Sequence, residues 1–94
     1  MATLYKTNST NGIEVFPKDK KRGFSLEELH TLVDCETIEV VGPLKDGRYM
    51  VIDESGKLLN KPINHQATNQ YVLSFGPYDI IVGNALLCDD TEIK

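Results

Sequence analysis

The sequence predicts an α+β domain: a mostly antiparallel sheet of about five or six strands, one main helix over about residues 25–34 packed on one face, and a short second helix over about 64–72. Three observations carry this. Short runs of β-forming residues alternate apolar with polar and are separated by turn pairs such as Asn11-Gly12 and Asp46-Gly47. Ser25 and Glu28 stand at the spacing of a reciprocal helix cap just ahead of an apolar stripe. The most apolar run, Asp79 to Cys88, has the length and composition of a buried strand.

In chain order, Thr3 to Thr7 alternates and reads as a strand. The cluster Asn8-Ser9-Thr10-Asn11-Gly12 turns the chain, and Ile13 to Phe16 returns as the second arm of a hairpin until Pro17 stops it. Lys18 to Arg22 holds four bases and one acid in a loop bounded by Pro17 and Gly23, and reads as a solvated loop.

Phe24 precedes the Ser25 cap and Leu29 is the fourth helical residue, the spacing of a hydrophobic staple. Leu26, Leu29, Leu32 and Val33 share one helical face, with His30 off it, and Glu27 and Glu28 favour the positive end of the helix dipole. Thr37 to Val41 and Arg48 to Asp53 form an antiparallel pair around Asp46-Gly47. Along the second of these, Tyr49, Val51 and Asp53 face one way and Arg48, Met50 and Ile52 the other. Glu54 to Lys57 turns again, and Leu58-Leu59 is expected as a short return strand ended by Pro62. Asn64 is placed to cap the second helix, on which Ala67, Tyr71 and Val72 share a face. The strand in 79–88 is expected to bend at Gly83-Asn84, and Asp89 to Lys94 reads as a polar tail.

Ninety-four residues are expected to form a single domain. A net charge of −4, with acids and bases interleaved, argues against direct nucleic-acid binding. Cys35 and Cys88 have neither disulfide-framework nor zinc spacing, and read as reduced, partly buried thiols of a cytoplasmic protein. Residues 1 to 20 hold no apolar run of the signal-peptide kind, and no stretch approaches the length of a membrane span.

No catalytic, metal or cofactor motif is present in the spacing. Asp53 and Glu54 are adjacent carboxylates; on a strand they face opposite ways, which disfavours an acid–base pair and leaves a small hydrolase as a remote reading. Polar side chains concentrate at Asn64, His65, Thr68 and Asn69, with Asp53 and Glu54 nearby in sequence. Two readings of Asn64 to Asn69 compete. It is a helix start with an exposed polar face, or a site for a nucleotide-type ligand, with Tyr49 or Tyr71 as a stacking surface. A cap-only Asn64 would tolerate Asp or Ser in its place.

The runs Ser25 to Leu29, Ile38 to Val41, Asp46-Gly47-Arg48, Met50 to Leu58, Pro62 to Thr68 and Asp79 to Cys88 together resemble the small proteins grouped as domain of unknown function 3846, over about Thr3 to Cys88. The shared pattern reads here as Asp53-Glu54, Gly56-Lys57-Leu58, Pro62, Asn64, Ala67-Thr68 and Val82-Gly83. The chain departs from it at Asp34-Cys35, where the family usually has two glycines, in a longer turn at Asn8 to Asn11, and at Asn84, where an Asp is common. The resemblance implies a protein of bacteriophages, plasmids or conjugative elements, located in the bacterial host cytoplasm. Small size and the lack of a catalytic set then suggest a non-enzymatic binding protein. Its expected partner is a host defence protein, with a small nucleotide-type signal as the alternative ligand. A homo-oligomer is compatible with this, and neither a cofactor nor a membrane is expected. The candidate binding residues are Tyr49, Asp53, Glu54, Asn64, His65, Thr68, Asn69 and Tyr71.

Overall fold

A computed structural model describes residues 2–7 and 11–93. Its sheet has five strands, all antiparallel: β1 (Ala2–Tyr5), β2 (Ile13–Val15), β3 (Ile38–Val41), β4 (Tyr49–Asp53) and β5 (Ala85–Cys88), in the spatial order β2-β1-β5-β4-β3. The hairpin β1–β2 forms as the alternation predicts; residues 8–10 of its expected turn cluster lie outside the described residues.

The centre of the sheet is covered on both faces. Helix α1 (Leu26–Val33) lies on one side, where Leu29 and Val33 meet Ala2, Leu4, Val51, Leu86 and Cys88. Helix α2 (His65–Phe75) lies on the other, where Ala67 and Tyr71 meet Met50, Ala85 and Leu87. Alternate β5 residues therefore enter opposite cores and all four are buried. This is why the run carries no polar alternation.

The cap of α1 is as expected. Ser25 Oγ accepts from the Glu28 N–H at 3.1 Å, and Glu28 Oε1 accepts from the Ser25 N–H at 3.0 Å. The Ser25 N–H, and after it the Lys18 N–H that donates to Glu28 Oε2 at 3.2 Å, hold the Glu28 carboxyl below its usual range. Phe24 and Leu29 are buried in one cluster, as the staple requires. Leu26, expected on the apolar stripe, is 60% exposed, and the buried face is carried by Leu29, Leu32 and Val33. The helix ends on Asp34 at φ 58°, the left-handed conformation that glycine adopts most easily, so Asp34 takes the conformation of a glycine cap. Asn84 Oδ1 accepts from the Thr7 N–H at 3.3 Å, a role that an Asp would also fill.

Two expectations are corrected. Leu58-Leu59 is no return strand. The chain from Glu54 to Asn60 coils through turns instead, with the Leu59 N–H on Ser55 O, the Asn60 N–H on Lys57 O and the Lys61 N–H on Gly56 O. Two adjacent leucines give no period-two pattern to hold a strand, and Asp53 Oδ1 captures the Ser55 N–H at 2.8 Å and starts the coil. The expected polar tail is also ordered through Ile93. A 3₁₀ turn (Asp90–Glu92) follows β5, the Glu92 carbonyl accepts from the Phe24 N–H at 2.7 Å, and Ile93 packs on the α1 core.

The second helix runs to Phe75, three residues past the expected end, because Gly76 is the first residue that stops it. The strand in 79–88 is broken as expected. Val82 makes an isolated bridge to Ile63, Gly83 bends at φ 77°, and β5 proper starts at Ala85.

Candidate functional site

The ends of β4, α1 and the 54–61 coil meet around Asp53. Asp53 closes β4 with its side chain 1% exposed, and Lys61 brings Nζ to 2.6 Å from Asp53 Oδ2. This is a charge contact; Oδ2 has no aligned hydrogen bond beside it, while Oδ1 is engaged by the Ser55 N–H. The same ammonium also donates to the Asp34 carbonyl at the end of α1. One lysine thus joins a strand end, a helix end and the coil that carries it.

Two clefts open on either side of Asp53, and it lines both. The larger, about 570 Å³, is walled by the end of α1 and the coil through His30, Asp34, Cys35, Thr37, Leu59 and Lys61. Burial pushes the Cys35 thiol up, with the Asp53 charge adding to it, so this cysteine is held as the protonated thiol. The smaller cleft, about 410 Å³, lies on the α2 side between β3, β4 and the loop before β5. Val41, Ile52, Tyr71 and Ile80 give it apolar walls, and Glu39, Glu54 and Asp79 give it carboxylates. Lys57 is its cation and pairs with Asp79, whose carboxyl is held below the usual range chiefly by that contact.

The structure brings together three of the residues singled out in the sequence. Asp53, Glu54 and Tyr71 line the acidic cleft, and the Tyr71 ring centre is 5.1 Å from that of Phe75. Asp53 is buried and Glu54 exposed, so the two do not sit as an exposed pair. Tyr49 is half-buried, opposite Cys88, and lines neither cleft. His65 and Asn69 are exposed on α2, outside both clefts.

Asn64 and Thr68 are engaged by backbone. Asn64 Oδ1 accepts from the Ala67 N–H at 3.0 Å, and its Nδ2 donates to Tyr5 O at 2.8 Å and Gly83 O at 2.9 Å. Thr68 Oγ1 accepts from the Ile81 N–H at 2.9 Å and donates to Ile81 O at 3.3 Å. Both residues tie the first turns of α2 to the approach of β5. Sequence reasoning missed Lys61, Glu39 and Asp79. Only the chain reversal between β4 and α2 brings Lys61 back to Asp53, and no spacing rule encodes that.

Surface hydrophobics gather beside the clefts. Leu58 is 86% exposed, Leu59 64% and Tyr78 84%. Leu58 and Tyr78 are the sequence neighbours of Lys57 and Asp79, so the ion pair holds their two loops together. Among the described residues, no helix is long and apolar enough to cross a membrane.

The family model of the domain of unknown function (DUF3846) matches residues 9–94, and the chain belongs to that family. No curated protein and no solved structure matches it.

Proposed function

We propose, with that family membership as the premise, that this is a small non-enzymatic binding protein that acts by docking on another protein. The observation that carries the reading is the exposure of Leu58, Leu59 and Tyr78 on two loops that the Lys57–Asp79 pair joins. Exposed large apolar side chains grouped beside charged ones are what a protein interface uses as anchors and rim. In the phage and mobile-element setting that the sequence suggests, the partner is a host defence protein in the bacterial cytoplasm. The test is phage plating on strains that each carry one defence system, with the wild-type gene and with Leu58→Glu/Tyr78→Ala expressed. We expect the wild type to restore plating on at least one strain and to co-purify with a component of that system, and the variant to do neither. Unchanged plating on every strain would count against the reading.

The alternative is a nucleotide-type ligand in the acidic cleft, with Tyr71 as a stacking surface. Glu39, Glu54 and Asp79 make that cleft unfavourable for phosphate, with Lys57 already paired. A rise in melting temperature with a nucleotide or cyclic nucleotide, lost in Tyr71→Ala, would favour this alternative over the first reading.

A further inference from the structure

The outer edge of β3 carries a register that fits only a few partners. In the β3–β4 ladder Thr37 stands opposite Glu54, and the Glu54 N–H donates to Thr37 O at 3.1 Å. Antiparallel pairs alternate between bonded and non-bonded positions. Glu39 and Val41 are therefore the residues bonded inward to β4, and Ile38 and Val40 turn their N–H and C=O groups outward. β3 is the last strand on its side of the sheet, and among the described residues no strand or bridge pairs with that edge.

This edge lacks the usual protections. Ile38 to Val41 contains no lysine and no proline, and Glu39 is its one charge. Val40 is 47% exposed. The opposite edge, β2, has three residues and runs within two positions into Pro17.

We propose that β3 pairs antiparallel with β3 of a second copy of this chain, about a two-fold axis centred on Val40. Two copies joined edge to edge keep the same face of each sheet on the same side, so residues directly opposite must share a face. Two registers then leave most of β3 paired. One sets Glu39 opposite Glu39 of the other copy, and like charges directly opposed are unfavourable. The other sets Val40 opposite Val40. There the outward groups of the two valines exchange N–H···O=C bonds, Ile38 reaches Gly42 of the other copy, and Glu39 lies opposite Val41. The hydrogen-bonding phase of β3 fits either register, and charge selects the second. The result is a continuous sheet across both copies, with the acidic cleft that Glu39 lines brought next to the two-fold axis.

The test is sedimentation velocity on the full chain from low micromolar to millimolar protein. Val40→Pro removes an N–H that points away from β4, and Val40→Lys sets two ammonium groups face to face. We expect the wild type to reach twice the single-chain mass and both variants to stay at that of one chain, with unchanged circular dichroism. If Val40→Pro unfolds, Val40→Lys decides. Wild-type monomer at every concentration would overturn the proposal, as would a dimer that survives the Val40→Lys change. In the Val40 register the two Glu39 side chains are diagonal neighbours across the axis, so Glu39→Gln should tighten the dimer by no more than about threefold; a tightening of about tenfold or more would place the axis at Glu39 and overturn the Val40 register.

Discussion

The Asn64 amide donates to the carbonyl of Tyr5 at 2.8 Å, across 59 positions of sequence, and so fastens the start of α2 to the first strand. Its second donor bond goes to Gly83 O and its oxygen caps the helix. The residue is 1% exposed and its side-chain groups are engaged inside the protein.

Asn64→Asp should therefore destabilise the protein, contrary to the expectation for a simple cap. A carboxylate keeps the cap but sets a negative charge against two carbonyl oxygens, at a cost of about 2–3 kcal/mol. Asn64→Ser keeps an acceptor and leaves two buried carbonyls short of donors, and should also cost about 1–3 kcal/mol. Urea denaturation at neutral pH measures both. Wild-type stability in Asn64→Asp would refute this account.

The Asp53–Lys61 pair should be asymmetric. Lys61→Met leaves the Asp53 carboxylate buried without its cation and should cost about 2–4 kcal/mol, the low side of the range for buried pairs because the lysine side chain keeps 21% exposure. Asp53→Asn retains an oxygen for the Ser55 N–H and frees a lysine that can reach water, so it should cost less. The double variant should be more stable than the sum of the two single losses, and a double-mutant cycle reads that coupling directly.

Alkaline pH should weaken the fold through Cys88. Burial, with Glu92 and Asp89 adding to it, pushes its thiol up to about 12 from an ordinary value of 9.0. The folded state then keeps a proton that the unfolded chain releases. The contribution is complete below about pH 9 and is lost as pH rises towards about 12. Cys88→Ala should flatten this part of the stability curve, by up to about 1.4 kcal/mol per pH unit. An identical slope in wild type and variant would show that other groups dominate.

Asp34→Gly should stabilise. Asp34 sits at φ 58° and ψ 61°, where a side chain is strained and glycine is not. The added freedom of glycine in the unfolded chain offsets part of the gain, leaving about 0.5–1 kcal/mol. The bond from Lys61 to the Asp34 carbonyl is made by backbone and survives the change. A lower denaturation midpoint would mean that the Asp34 side chain itself supports the site.

The fold was legible where local rules decide it. Ser25 with Glu28, the Phe24–Leu29 staple and the alternation of Tyr49 to Asp53 each name a conformation within a few residues. The coil at Leu58-Leu59 was not, because its form depends on Asp53 capturing the Ser55 N–H and on Gly56 fitting against Val82, where an added Cβ would stand 2.8 Å from Cγ2. The site was legible in part. Asp53, Glu54 and Tyr71 share a cleft, while the polar cluster at Asn64 and Thr68 reflects the need to satisfy buried backbone where α2 meets Ile81 and Gly83. A sequence shows that polar groups are concentrated; it does not show whether their partners are internal.

The strand order gives the chain a late-closing architecture. β5 inserts between β1 and β4, so before residues 85–88 leave the ribosome the nascent chain holds two separate hairpins, each with both edges open. Isolated hairpins are marginal in water. The sheet should thus assemble only once residues 85–88 are available, and a stop codon ahead of Ala85 should yield a product that cellular proteases clear, with no partly working fragment.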